Sequence, residues 1–136
     1  MRNTIKRYKN DLKDWWQKVQ DDTKWAEYNL RGNFYTQTCF VTQQIAEKAL
    51  KTYLLSENIV VEKTHKLPLL LSKAIKLDKS FCNFTKHVKI LDRYYITTRY
   101  PAGLFGIEDS YTKKEAEEAL SLAQEIVAFV EKKIRT

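Results

Sequence analysis

A chain of 136 residues, 43% hydrophobic and 12% aromatic, is long enough to close one sizeable core and too apolar to be disordered as a whole. Only 3 Gly and 2 Pro are present, which excludes a sheet-rich fold, because its turns consume both residues. The net charge of +7 is concentrated: residues 62–99 hold nine Lys or Arg against three Asp or Glu, a field suited to nucleotide, RNA or an acidic protein surface, or simply to a solvated face.

Apolar positions Ile5, Tyr8, Leu12, Trp15, Trp16, Val19, Ala26 and Leu30 recur at three- and four-residue steps and predict a first helix. Arg31-Gly32-Asn33 reads as its stop, with Gly32 as the left-handed cap. A second helix is expected from about Phe34 to Ser56. Its wide apolar face, including Val41, Ile45, Ala46, Ala49, Leu50, Tyr53 and Leu54, suits a central position. Residues 56–66 form a loop, with at most a short extended piece at Ile59-Val60-Val61. Pro68 in a first turn, followed by Leu69, Leu70, Leu71, Ala74 and Ile75, predicts a short third helix.

A fourth helix starts near Ser80 and buries Phe81, Phe84, Val88, Leu91 and Tyr95. Residues 98–111 contain the remaining Pro and Gly and are irregular. Thr112 and Glu115 have capping-box spacing at the start of a last helix, striped by Ala116, Ala119, Leu120, Ala123, Ile126, Val127, Val130 and Ile134. The expected fold is a single domain over residues 1–136, all-α, an antiparallel up-and-down bundle of four long helices plus one short helix.

No signal sequence is visible, and no apolar run approaches the ~20 residues of a membrane span. A cytoplasmic protein with no membrane contact is expected. Cys39 and Cys82 have no ligand spacing and read as reduced core thiols. The histidines, His65 and His87, have no nucleophile signature beside them. Phosphate-loop, zinc and calcium patterns are missing too, so neither cofactor nor metal is expected.

Three clusters stand out. The run from Gln44 to Lys51 sets Gln44 beside Glu47 and Lys48, and Glu47 beside Lys51, either as a ligand site or as a surface ladder worth about 0.2–0.5 kcal/mol per pair. In Lys63-Thr64-His65-Lys66-Leu67, Thr64 is positioned to cap the short helix. From Asp92 to Pro101, two arginines among three tyrosines can fork onto phosphate and stack a base, or fasten a helix end to a carboxylate.

Order and spacing together resemble the HEPN family, the "higher eukaryote and prokaryote nucleotide-binding" helical domains, over residues 11–133. The resemblance is carried by a Trp-containing first helix, Gln-x-x-Glu-Lys-x-x-Lys at Gln44 to Lys51, and Thr-His-x-Leu at Thr64 to Leu67. Tyr-x-x-x-Arg-Tyr-Pro at Tyr95 to Pro101 and a closing helix after Tyr111-Thr112 complete it. It implies a helical bundle, usually dimeric, acting beside a small nucleotidyltransferase, often as half of a toxin–antitoxin pair. Many relatives are metal-independent ribonucleases with an Arg-x(4–6)-His motif. Here no Arg precedes a His at that spacing, and without such an imidazole to move a proton the activity does not carry over. The expectation is a non-catalytic accessory protein that binds nucleotide, RNA or a partner. The alternatives are a ribonuclease with a non-standard site drawn from Arg99, Tyr95 and His65, and a purely structural scaffold.

Two further expectations concern surfaces. Adjacent Trp15 and Trp16 point about 100° apart on a helix, so at least one lies on a secondary face that a homodimer would cover. Gln44, Lys48, Lys51, His65, Tyr95, Arg99 and Tyr100 are expected to line one polar groove, with Glu47 as its only acidic member. Such a groove would take an anionic ligand.

Overall fold

Sparse glycine and proline let the chain run in long helices, and the computed structural model, which describes residues 2–60, 63–97 and 111–134, is all-α over them. Helix α1 spans Arg2–Arg31 and α2 spans Tyr35–Ser56. Helix α3 (Leu67–Leu77) leads through a 3-10 turn (Lys79–Phe84) into α4 (Thr85–Asp92) and the short α5 (Tyr94–Thr97). Helix α6 (Lys113–Ile134) follows. This is the expected up-and-down bundle, with its fourth rod divided into the 3-10 turn, α4 and α5. Val61, Arg99, Tyr100 and residues 98–110 of the stretch expected to be irregular lie outside the described residues.

The turn between α1 and α2 places its left-handed residue one position later than expected. Asn33, not Gly32, has positive φ (66°). The Phe34 amide donates to the Asn29 carbonyl and the Asn33 amide to that of Leu30, the bond pair of a Schellman cap with Asn33 in its left-handed slot. Gly32 serves spacing instead, since a Cβ there would stand 3.0 Å from the Phe34 ring. The same cap ends α2. Asn58 has φ 62°, Ile59 donates to Leu54, and Asn58 donates to Leu55.

Helix α2 packs against α1, α3, α4, α5 and α6, the central position its wide apolar face suggests. Ile45, Ala46, Ala49, Leu50, Tyr53 and Leu54 are buried along it, and α6 meets them with Ala116, Ala119, Ala123, Ile126 and Val130. The alanines bring the two backbones close. Below them Phe81 packs on Tyr53 and Phe129, at ring separations of 4.4 and 4.9 Å. The capping box of α6 forms as expected: Glu115 N–H donates to Thr112 Oγ1, and Thr112 N–H donates to Glu115 Oε1. Among the described residues, no helix is long and apolar enough to cross a membrane.

The fourth rod starts near Ser80 as expected and departs from expectation at its end. Its start is set by Asp78, whose Oδ1 accepts the Ser80 amide while Oδ2 pairs with Lys133 of α6 at 2.8 Å. Hydrogen bonds from Lys133 and then Ser80 hold that carboxyl down at about 2. Its end shifts phase at Arg93, so Tyr94 rather than Tyr95 enters the core and meets Tyr111 edge-on at 5.0 Å. Tyr95 is half-buried. The thiols also differ from each other: both are free, but only Cys39 is buried, and burial followed by the charge of Glu115 pushes it up to about 12. Cys82 is exposed.

The Asn33 cap sets an order of tolerance. Asn33→Ala should lower stability by about 1 kcal/mol, a few degrees of Tm, because a Cβ without a local hydrogen-bonding group is strained at positive φ. Gly32→Ala should cost less, since it only displaces the tip of an exposed ring. Thermal denaturation monitored by circular dichroism checks this order, which would be reversed if Gly32 held the left-handed position.

Candidate functional site

Positions 43, 47 and 51 recur at four-residue steps and so share one face of α2. That face is covered, which makes this polar stripe something other than a surface ladder. The Glu47 and Lys51 side chains are only 6% and 7% exposed. Lys51 Nζ stands 2.9 Å from Glu47 Oε2, while Glu47 Oε1 lies 2.9 Å from His65 Nδ1. The Gln43 amide nitrogen donates to Glu47 Oε1 (3.4 Å) and to the His65 carbonyl (3.1 Å). Gln44 in turn donates to Gln43 Oε1 at 2.6 Å. Removing two charges from water costs several kcal/mol per ion, and only a carboxylate with its lone pairs occupied offsets that. Here each Glu47 oxygen is occupied.

The network fastens the segment between α2 and α3 onto α2 through both the ring and the carbonyl of His65. The other side of the imidazole stacks on Tyr95 of α5, with centroids 4.8 Å apart and planes at 17°. The phase shift at Arg93 is what delivers Tyr95 here instead of to the core. Thr64 does not cap α3 as expected. Its Oγ1 accepts the Lys66 amide, while Asp92 at the end of α4 accepts the Leu67 amide at 3.0 Å. These elements enclose a cleft of about 780 Å³ lined by Lys63, Thr64, His65, Lys66, Pro68, Leu69, Asp92 and Tyr95. His65 is 49% exposed there, with Nδ1 held by Glu47 and Nε2 the ring nitrogen left over.

Of the residues expected to share one groove, Lys51 and His65 meet through Glu47, Tyr95 stacks on His65, and Gln44 joins through Gln43. Lys48 is not. It turns to α1, where Asp22, buried among core side chains, takes its ammonium at 2.5 Å. There Lys48 lines a separate hollow with Asp14, Trp15 and Lys18. Arg99 and Tyr100 lie outside the described residues. The expected convergence of α2 cations is also corrected, since Asp22 neutralises Lys48 and Glu47 neutralises Lys51. The positive groups of the cleft are instead Lys63 and Lys66, both exposed.

Sequence reading missed Gln43 and Asp22. Gln43 had a usable signal, since it stands four residues before Glu47 on the same face. So did Asp22, which follows Val19 by three residues and precedes Ala26 by four, on the apolar stripe of α1. Among the described residues, no group of three His, Cys, Asp or Glu side chains is arranged to hold a metal ion.

Burial makes the Glu47 network costly to break from one side. Glu47→Ala should destabilise the fold by about 3 kcal/mol, because it strands the Lys51 charge in the interior. Lys113→Ala, which removes an exposed pair with Glu117, should cost under about 0.5 kcal/mol. Urea denaturation of the two variants measures both. Equal small effects would restore the surface-ladder account.

Comparison with known proteins agrees with this architecture. The family model of the HEPN domain matches residues 12–133. The chain is 26% identical over 125 residues to the Methanocaldococcus jannaschii protein named "Putative toxin MJ1304", covering 83% of this chain and 81% of that protein. Among solved structures, TT1696 from Thermus thermophilus superposes with a TM-score of 0.75 at 36% identity, covering 91% of this chain and 98% of the other. ST0689, described as an archaeal HEPN homologue, gives 0.73 at 26% identity, with 90% and 97% covered. With the fold, the order of its motifs and the family match in agreement, the chain belongs to the HEPN domain family.

Proposed function

We propose that this chain is a HEPN protein of the toxin–antitoxin type that takes a nucleotide or a short RNA into the His65 cleft and acts beside a small nucleotidyltransferase. The observation that carries the ligand is the stacked His65–Tyr95 pair, which lines the cleft together with Lys63 and Lys66. The outer face of such a stacked pair offers a ring on which a base can continue the stack, and two exposed ammonium groups suit the phosphates. The toxin half of the reading is supported by the name of the M. jannaschii relative, and the partner enzyme by the family resemblance.

A homodimer fits the surface of α1. Trp15 and Trp16 are both only half-buried, and Trp16 packs on the core while Trp15 borders the Lys48 hollow. Trp25, Tyr28 and Phe34 are exposed together at the α1–α2 corner.

Titration calorimetry with mono- and dinucleotides and short RNAs tests the ligand. Binding should weaken with salt, and Lys63→Ala with Lys66→Ala should flatten the salt slope by about 1 per lysine lost. Tyr95→Ala should cost about 1–3 kcal/mol of affinity, the worth of one stacked base, while Lys113→Ala changes nothing. Absence of binding to every one of these ligands would end the proposal.

One observation favours a second reading, a metal-independent ribonuclease with a non-standard site. A buried carboxylate on His65 Nδ1 favours the tautomer in which Nε2 can accept a proton from a ribose hydroxyl. Cleavage of short RNA in excess chelator, lost in His65→Ala, is the outcome this reading requires. Cleavage at the same rate in wild type and His65→Ala would reject it.

A further inference from the structure

A second hollow, independent of the ligand reading, lies between α3 and α4. It is about 610 Å³ in volume and shares only Pro68 and Asp92 with the His65 cleft. On α3 it is lined by Pro68, Leu71, Ser72, Ile75 and Lys76, and on α4 by Thr85, Val88, Lys89 and Asp92. Both sets follow three- and four-residue steps, so two helix faces lie side by side and form a furrow. The floor is aliphatic. Each rim carries one exposed lysine, Lys76 from α3 and Lys89 from α4. The carboxylate in the lining, Asp92, already accepts the Leu67 amide.

We infer that this furrow docks an acidic amphipathic helix of another protein, with its aliphatic stripe on Pro68 and Ile75 above the buried Leu71 and Val88 and its flanking carboxylates meeting Lys76 and Lys89. Three features select that occupant. Two parallel ridges with an apolar floor match the spacing of anchors on a third helix, whose side chains at i, i+3, i+4 and i+7 fill such a groove. The lining runs from Pro68 to Lys76 on α3 and from Thr85 to Asp92 on α4, a track of about 12 Å, or just over two helical turns. Charge complementarity then fixes the sign of the partner.

A second copy of this chain is disfavoured, because a two-fold interface sets a patch against itself and would oppose the same lysines. Single-stranded RNA is disfavoured as well, because among the described residues no aromatic side chain lines the furrow to receive a base.

The probe is a fluorescein-labelled 14-residue helical peptide with Leu at i, i+3, i+4 and i+7 and Glu flanking the stripe. Fluorescence anisotropy reads its binding to the full chain, and circular dichroism checks that each variant is folded. The Glu peptide should bind, its Glu→Lys counterpart should bind at least about tenfold more weakly, and Lys76→Glu with Lys89→Glu should cost a similar factor. Ser72→Arg separates groove from charge. Ser72 is exposed at the rim, so a long side chain there obstructs the furrow while adding positive charge. Weaker binding of the Glu peptide to Ser72→Arg supports the groove. Unchanged or tighter binding overturns it, as does failure of the Glu peptide to bind at about 100 μM, where a docked helix of this size would register. Displacement of the peptide from Lys76 and Lys89 by a short poly-uridine RNA or by anionic vesicles, with Ser72→Arg without effect, overturns it in favour of a general anion surface.

Discussion

A helix enclosed by all of its neighbours cannot send its polar side chains to water, so each must find a partner inside the protein. Helix α2 is under that constraint, and its sequence is far from wholly apolar. Thr38, Thr42 and Thr52 meet it locally, each hydroxyl donating to a carbonyl one turn earlier. Gln43, Glu47 and Lys51 need more than local bonds, because a carboxylate with a single partner would remain under-solvated. The remaining lone pairs are taken by the segment carrying His65. Satisfying the interior of α2 and building the cleft are therefore the same event. The loop is held where the cleft needs it because α2 needs the loop.

What the sequence showed well was whatever repeats locally. The stripes of α2 and α6, the capping box at Thr112 and Glu115, and Pro68 at the start of α3 are short-range patterns whose physics is complete within a few residues. What it concealed depended on distant partners or on a small change of phase. Asp92 displaces Thr64 as the cap of α3 from 25 residues away. A break at Arg93 exchanges Tyr94 for Tyr95 in the core and sends Tyr95 to His65. Asn33 takes the left-handed position although glycine precedes it, because the Schellman bonds count from the last helical carbonyls and not from residue preference. The direction of Lys48 was equally hidden, since one step along a helix turns a side chain by about 100° and here carries it from the His65 side to α1.

Charge is arranged in two ways in this molecule. Buried or half-buried cations are neutralised internally: Lys48 by Asp22, Lys51 by Glu47 and Lys133 by Asp78. The exposed lysines of the cleft and the furrow, Lys63, Lys66, Lys76 and Lys89, belong to the one strongly basic segment of the chain. A potential read from composition alone would have counted all of these equally. The structure separates ions that hold helices together from ions that project a field toward solvent, and only the second group attracts anything from outside.

The internal network also shapes how this sequence can change. Replacing Gln43, Glu47, Lys51 or His65 alone leaves an amide, a charge or a ring nitrogen beside partners that no longer match it. Replacing a whole buried ionic group by apolar residues is often neutral in other proteins, but only when all members change together. The route from this stripe to an ordinary hydrophobic one thus runs through less stable intermediates on every side. The four positions are free to change only together, separated from the apolar alternative by a stability valley that their own packing creates.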